Sequence, residues 1–141
     1  MEKPTLIIGT DHGAFELKEA VVAHLVSKGY EVEDIGSFST DPVDYPDYAN
    51  RVAGAIVSGE KELGILCCTT GIGMAIAANR FAGVQAAVVT DPDLAAKTRV
   101  HNDTNVLCLA GDFTPPEQAA YRLAGLDHQP RRRMDQARPR R

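Results

Sequence analysis

The chain has 141 residues, of which 44% are apolar and 24% charged, a composition typical of one globular domain with a real core. Its formal charge is −4, but residues 128–141 carry six arginines and one aspartate, or +5, which leaves −9 on residues 1–127. An acidic body of this kind argues against a nucleic-acid partner. No apolar run is long enough to cross a bilayer, and we expect neither a membrane partner nor a signal peptide, since the chain leads directly into a strand.

The number and spacing of the cysteines exclude two kinds of site. Three cysteines are an odd number, which argues against a disulfide framework. The lack of a membrane-spanning run and of a signal peptide leads us to expect a cytoplasmic location. Cys67 and Cys68 are adjacent, so along a strand their side chains point to opposite faces of the sheet. Two thiols on opposite faces cannot share a zinc ion, and we predict no metal site.

The first half of the chain predicts two strands and two helices. Thr5–Thr10 is a nearly continuous apolar run, as expected for a central parallel strand. A helix follows, because the apolar residues at 14, 17, 21 and 25 recur at spacings of three and four, and a glycine ends it. Tyr30–Ile35 is a second strand, whose acidic residues indicate the edge of a sheet. After a loop over Gly36–Pro46, a second helix runs from about Tyr48 to Ser58.

The second half continues the alternation. The predicted strands are Gly64–Cys68, Val84–Val89 and Thr104–Leu109, and the predicted helices are Met74–Arg80, one that begins at Asp91-Pro92 and ends by Asp103, and Glu117–Leu123. Five strands alternating with helices indicate an α/β fold, with a parallel sheet covered by helices on both faces. Ligands of such folds bind beyond the carboxyl ends of the strands, so polar residues that follow the strands should share one rim.

The stretch after the third strand, Thr69–Gly73, predicts a turn that cradles an anion at a helix N-terminus. Gly71 and Gly73 let backbone N–H groups face a ligand, and Thr70 adds a hydroxyl. Cys68 ends the strand where the cradle begins, and a helix N-terminus favours the thiolate form of a cysteine. The residue also fits a buried structural cysteine, and the turn is neither a P-loop nor a dinucleotide fingerprint.

Two histidines and the basic end each admit two interpretations. Asp11-His12 fits helix capping by the carboxylate or a pair of ligand contacts at the rim. His101, in the turn before the fifth strand, fits a polar turn or a general acid or base. The Arg-rich end, with Arg131–Arg133 and Arg138, fits a phosphate clamp or a solvated basic end.

Four segments are dispersed through the chain: GTDHGAFELK at 9–18, DYPDYA at 44–49, GILCCTTGIGMAIAANRFAG at 64–83 and HNDTNVL at 101–107. Together, and in this order, they resemble the ribose-5-phosphate isomerase B family, which includes the galactose-6-phosphate isomerase subunits. The resemblance covers residues 5 to about 112. It implies a Rossmann-like three-layer α/β/α sandwich with a five-stranded parallel sheet, a homodimer or homotetramer with sites at subunit boundaries, and no cofactor. It places an isomerase domain over 1–127 and an Arg-rich tail over 128–141.

The resemblance also implies an activity: interconversion of an aldose phosphate and a ketose phosphate through an enediolate, with ribose 5-phosphate as the first substrate. Cys68 matches the base that moves a proton between C1 and C2, His101 the residue that opens the sugar ring, and Thr70 part of the anion hole. The remaining matches would contact the sugar phosphate: Asp11, His12, Thr69, Gly71, Ile72, Gly73 and Asn102, with Arg132, Arg133 and Arg138 as candidate phosphate ligands.

Three departures from the family pattern keep the substrate open. Thr69 stands where a glycine is usual, Asp112 stands where an arginine is common, and the Arg-rich end does not align with the family's phosphate clamp. A tetrulose 4-phosphate or a hexose 6-phosphate is therefore an alternative substrate. Two other classes remain: a non-catalytic module that binds a phosphosugar or nucleotide, and a thiol redox protein using Cys67 and Cys68, although adjacent cysteines are poor redox partners.

Overall fold

The computed structural model describes residues 3–123 and 125–126, and within them the chain forms one parallel sheet in the order β2-β1-β3-β5-β4. The strands are β1 Leu6–Thr10, β2 Val32–Asp34, β3 Leu63–Cys68, β4 Ala86–Val88 and β5 Val106–Ala110. The helices are α1 Phe15–Ser27, α2 Tyr45–Val57, α3 Ile72–Ala78, α4 Pro92–Asn102 and α5 Ala119–Arg122. The predicted α/β fold with five parallel strands is confirmed. The predicted domain boundary at 127/128 lies outside the described residues.

Helices cover both faces of the sheet, because an apolar cluster lies on each side of it. One cluster contains the predicted stripe of α1, residues 14, 17, 21 and 25, together with Cys67 and Ala95 of α4. The other contains Cys68 with residues of α2 and α3, such as Val52 and Met74. The prediction that the two adjacent cysteines face opposite sides of the sheet is therefore confirmed.

Both edge strands are short. β2 pairs only with β1, as its acidic residues predicted, and Glu33 of β2 forms ion pairs with Arg51 and Lys61 on the surface. β4 pairs with β5. On its other side, the side chain of Asn79 forms two hydrogen bonds with Ala86: Nδ2 donates to the carbonyl oxygen at 2.9 Å, and Oδ1 accepts from the N–H at 2.7 Å.

Element boundaries differ from the predicted ones in two places that matter. α2 begins at Tyr45, not near Tyr48, because Pro46 lies in the first turn, where a missing backbone N–H costs nothing. The predicted helix over Glu117–Leu123 is a 3-10 turn over Pro116–Gln118 followed by the single turn of α5. No helix among the described residues is long and apolar enough to cross a membrane.

Candidate active site

Three loops meet at the carboxyl ends of β1, β3 and β5. The backbone N–H of Asp11 donates to the carbonyl of Cys67 at 3.3 Å, and that of Asp112 donates to the carbonyl of Thr69 at 3.0 Å. Gly13 lies so close to Thr69 that a Cβ built on it would be 2.6 Å from Thr69 Oγ1. The structure thus brings these segments to the common rim that the sequence predicted.

Cys68 is the last residue of β3 and is 5% exposed at this rim. Its Sγ accepts a hydrogen bond from the backbone N–H of Gly71 at 3.1 Å. Gly71 has φ +76, and a Cβ at this position would be 3.2 Å from the carbonyl carbon of Leu109, so a glycine is needed for the turn. A donor aimed at the sulfur stabilises negative charge on it, as a reactive thiolate requires.

The remaining residues of the cradle make hydrogen bonds and packing contacts within the chain. The N–H of Ile72 donates to Thr70 Oγ1 at 3.1 Å, so the threonine hydroxyl occupies the start of α3. Gly73 is covered by the ring of Tyr45, since a Cβ on Gly73 would be 3.1 Å from two ring carbons. Two amides of the predicted anion hole, those of Gly71 and Ile72, are therefore held by acceptors of the chain itself.

Asp11 and His12 lie on the loop after β1. Asp11 Oδ1 accepts from the N–H of Gly13 at 3.0 Å, which confirms the capping interpretation, although the capped element is only a 3-10 turn over His12–Ala14. Burial raises the pKa of Asp11 above its ordinary value, and the Gly13 N–H and His12 only partly offset it. The ring of His12 accepts at Nδ1 from the N–H of Val43 at 3.1 Å. A neutral His12 therefore carries its proton on Nε2.

The other two thiols have a different environment. Cys67 and Cys108 are fully buried in the sheet, and neither forms a disulfide. Burial raises the pKa of both thiols far above the ordinary value, and the nearby Cys68 adds to the shift. Cys67 and Cys108 therefore stay protonated at neutral pH and act as small apolar core residues.

His101 and Asn102 lie at the amino ends of the strands, opposite to the carboxyl ends where Cys68 lies. α4 returns from the carboxyl end of β4 to the start of β5, and both residues are in its last turn. Cys68 is level with Ala110, whereas the start of β5, Val106, is level with Gly64. Four residues of strand separate these levels, which is about 13 Å. Within one chain, the structure does not bring His101 to the thiol.

Three residues near the site were not predicted from the sequence. They are Lys18, whose ammonium group is buried, Tyr45, which covers Gly73, and Val43, which bonds to His12. A signal existed for Lys18, because it lies four residues after Ala14 and three before Val21, on the apolar stripe of α1. Contacts of Val43 and Tyr45 depend on how a long loop returns to the rim, which no local pattern encodes.

The candidate phosphate ligands Arg132, Arg133 and Arg138 lie outside the described residues, as does Arg131. Within residues 3–123 and 125–126, no group of three His, Cys, Asp or Glu side chains is placed to hold a metal ion.

Comparison with known proteins gives a family match over most of the chain. A family model described as Ribose/Galactose Isomerase matches residues 6–124. Ribose-5-phosphate isomerase B of Escherichia coli strain K12 is 52% identical over 102 residues, which are 72% of this chain and 68% of that protein. The 4-deoxy-4-sulfo-D-erythrose isomerase of Clostridium sp. strain MSTE9 is 45% identical over 107 residues, or 75% of this chain and 67% of that protein.

Solved structures agree. A ribose 5-phosphate isomerase from Thermotoga maritima superposes with a TM-score of 0.91 at 43% identity, covering 97% of this chain and 95% of that one. Identity at this level together with near-complete coverage supports the same arrangement of sheet, helices and rim in both proteins.

Proposed function

Because the chain belongs to the ribose/galactose isomerase family, we propose that it interconverts the aldose and ketose forms of a phosphorylated sugar, with ribose 5-phosphate as the first substrate. The observation that carries this proposal is the environment of Cys68. One of three cysteines in the chain lies at the rim with a backbone N–H directed at its sulfur, while the other two are sealed in the core. A binding module would not need this difference, whereas a thiolate base does.

In the proposed reaction, the Cys68 thiolate removes the proton from C2 of the open-chain aldose, and the electron pair forms the C1–C2 double bond of an enediolate. The resulting thiol then returns the proton to C1, and the hydroxyl proton on O2 passes to O1, so that C2–O becomes the ketose carbonyl and O1 the hydroxyl of C1. The developing negative charge on oxygen is stabilised by the Thr70 hydroxyl and the amides of the cradle. We propose that this oxygen takes over the Ile72 N–H, which Thr70 Oγ1 holds in the structure.

Asp11, His12, Thr69, Gly71 and Gly73 then line the sugar, from positions on the same rim. Deprotonated Asp11 suits a sugar hydroxyl, since a carboxylate accepts its proton in a charge-assisted hydrogen bond. The Arg-rich tail supplies the phosphate contacts in this proposal, because guanidinium groups match phosphate oxygens.

His101 opens the sugar ring in this proposal, and it does so from a second subunit. The support is the opposite position of His101 and Cys68 in one chain, which leaves each site without its ring-opening group. Two apolar side chains of α3, Ile72 and Ile76, are 54% and 55% exposed beside the cradle, as expected where another subunit covers them. We therefore propose a homodimer, or a homotetramer built from such dimers, with each site shared between two chains.

A second candidate substrate is a four-carbon sugar with a terminal anionic group. The relative from Clostridium sp. strain MSTE9 is an isomerase of 4-deoxy-4-sulfo-D-erythrose and is 45% identical. A sulfonate carries one negative charge, where a phosphate carries nearly two, so the acidic Asp112 at the rim suits the former better.

The free thiols of the chain fit a reducing compartment, and we place the reaction in the cytoplasm.

The test is an aldose–ketose assay on ribose 5-phosphate, tetrose 4-phosphates, hexose 6-phosphates and 4-deoxy-4-sulfo-D-erythrose. Cys68→Ala should lower kcat by about 10² to 10⁴ while the sugar still binds. Cys108→Ala is the matched control, because it removes a thiol on the same sheet face, away from the rim, and should keep nearly all activity. Turnover that survives in Cys68→Ala would move the base elsewhere. Binding without turnover of any sugar would favour the non-catalytic module.

The shared site has its own test, in which Cys68→Ala and His101→Ala chains are unfolded, mixed and refolded together. If each site combines Cys68 of one chain with His101 of the other, a mixed dimer contains one intact site. Equal mixing should then restore about a quarter of wild-type activity, as half of the dimers are mixed and each has one of two sites intact. If each site uses one chain only, every site retains a lesion and the mixture stays inactive.

A further inference from the structure

Lys18 is a buried charge that the proposed reaction does not use. Its side chain is fully buried in α1, and Nζ lies 2.8 Å from Asp34 Oδ2 and 2.9 Å from Glu19 Oε2. Nζ also lies 4.9 Å from the centre of the Phe38 ring. Burial lowers the pKa of Lys18, but the hydrogen bonds to Asp34 and Glu19 outweigh burial and raise it above its ordinary value. The ammonium group is therefore charged throughout the working pH range.

Two partners of Lys18, Asp34 and Phe38, belong to one segment, residues 34–43, which leads from β2 to α2, while Glu19 and the ring of Phe15 contact it from α1 itself. The second oxygen of Asp34 accepts from the N–H of Gly36 at 2.9 Å, so the carboxylate joins the ammonium group to the start of the segment. The ring of Phe38 then faces Nζ. Lys18 thus contacts the segment at two places, through an ion pair with Asp34 and through the aromatic face of Phe38.

The same segment crosses the end of β1. The N–H of Thr10 donates to the carbonyl of Gly36 at 2.7 Å, and the N–H of Ser37 donates back to the carbonyl of Thr10 at 2.9 Å. Thr10 directly precedes Asp11. The far end of the segment reaches the rim at Val43, whose N–H fixes Nδ1 of His12 at 3.1 Å.

We propose that Lys18 is a positioning residue for the sugar-binding rim: it holds the 34–43 segment over the end of β1, so that the Val43 N–H fixes the orientation and tautomer of His12. The consequence is a His12 that presents Nε2–H, and only a donor, to an anionic or hydroxyl oxygen of the substrate. This inference rests on the proposed function for its substrate, but its structural part, the tautomer of His12, is independent of any activity.

The first test uses Lys18→Met, with Lys18→Arg as the conservative variant. Lys28→Met, at the exposed end of the same helix, is the control for loss of a lysine. Lys18→Met should raise KM about tenfold with a smaller change in kcat, since His12 contacts the bound sugar before and during reaction. Lys18→Arg should restore most of the affinity, because it restores the charge beside Asp34. An unchanged KM in a folded Lys18→Met protein would overturn the proposal.

The second test reads His12 directly, by ¹⁵N NMR of the full-length protein labelled at histidine, with His12→Gln to assign the signal. Wild type should show a pyrrole-type Nε2 and a pyridine-type Nδ1 at a pH where the ring is neutral. Val43→Pro removes the N–H donor and should give mixed tautomers, as should Lys18→Met if it folds, whereas Val43→Ala keeps the N–H and the single tautomer. A single Nε2–H tautomer in Val43→Pro would overturn the proposal. If wild type turns over none of the sugars, the proposed function fails, yet this experiment still decides the positioning role.

Discussion

Cys67 and Cys68 are consecutive residues of β3, yet their side chains lie in different apolar clusters on opposite faces of the sheet. Cys67 is fully buried, while Cys68 is 5% exposed and accepts the Gly71 N–H on its sulfur. The alternation of side chains along a strand thus gives two neighbouring thiols different chemistry. It also separates them too far for a disulfide between them without distortion of the strand, which disfavours the redox alternative.

We expect alkylation of the native protein at pH 7 to 8 to modify Cys68 first. Its sulfur is at the rim and faces a donor, whereas burial keeps Cys67 and Cys108 protonated and inaccessible. Peptide mass spectrometry after limited iodoacetamide treatment measures the site of modification. Denatured protein, in which all three thiols react, is the control. Equal labelling of Cys67 in the native state would contradict the burial described above.

Stability should fall as the pH rises above about 9. The pKa values of Cys67, Cys108 and Lys18 are all higher in the folded protein than their ordinary values, 9.0 for the thiols and 10.5 for lysine. The stabilisation linked to these protons is complete below the unfolded pKa and is lost as the pH rises through the folded one. The titration of each thiol should lower the free energy of unfolding by about 1 kcal/mol between pH 9 and pH 10.

Urea unfolding at pH 7 and pH 10 measures this loss, with Cys67→Ser as the comparison. The serine hydroxyl does not titrate in this range, so the variant should lose less stability than wild type over the same interval. An identical pH dependence in the two proteins would show that burial does not raise the pKa of Cys67 in the folded protein.

Two glycines provide a matched pair for the packing of α2 against the sheet. A Cβ on Gly64 of β3 would be 2.6 Å from Val52 Cγ1, so Gly64→Ala should destabilise the protein by about 1–3 kcal/mol. A Cβ on Gly54, within α2, meets nothing within 4 Å, so Gly54→Ala should stabilise by up to about 1 kcal/mol. Chemical denaturation gives both values. Equal effects of the two substitutions would mean that α2 does not pack closely on β3.

Asp11→Asn should separate stability from activity. Burial raises the pKa of Asp11, so the folded state holds its proton more tightly than the unfolded state, and the charged carboxylate is destabilising at neutral pH. The amide can still accept the Gly13 N–H, and the variant should be more stable than wild type at pH 7. The difference should disappear below about pH 4, where Asp11 is protonated.

Activity should change in the opposite direction. Loss of a charge-assisted hydrogen bond to the sugar should lower kcat/KM by about 10- to 100-fold. Thermal unfolding and the isomerase assay are measured on the same preparation. An Asp11→Asn protein that is less stable at pH 7 would indicate that the carboxylate makes a compensating contact that this structure does not contain.

Much of this architecture could be predicted from local sequence. A nearly continuous apolar run marked β1, the stripe of α1 marked its buried face, and Asp91 with Pro92 marked the start of α4. The rim followed from the rule that parallel strands end together. The cradle was recognisable because glycines at 71 and 73 follow a strand and precede a helix.

The rest depends on contacts between segments distant in sequence. The bond from Val43 to His12 joins residues 31 positions apart, and that from Lys18 to Asp34 joins residues 16 apart. Neither a turn preference nor a hydrophobic period encodes such pairs. The position of His101 away from Cys68 was accessible from the predicted parallel sheet, because a helix that connects parallel strands returns to their amino ends.

The two hydrogen bonds between the Asn79 amide and Ala86 affect how copies of this chain can associate. Edge strands offer unpaired N–H and C=O groups, onto which another chain can add a strand. Gln85, directly before β4, accepts hydrogen bonds from Asn105 and Val106 on the β5 side, so Ala86 turns its polar groups outward. The Asn79 amide bonds to both of them. The opposite edge, β2, is three residues long and carries the charged Glu33 beside Arg51. Continuation of the sheet from one molecule into the next is therefore disfavoured, and self-association is directed to the helical surfaces instead.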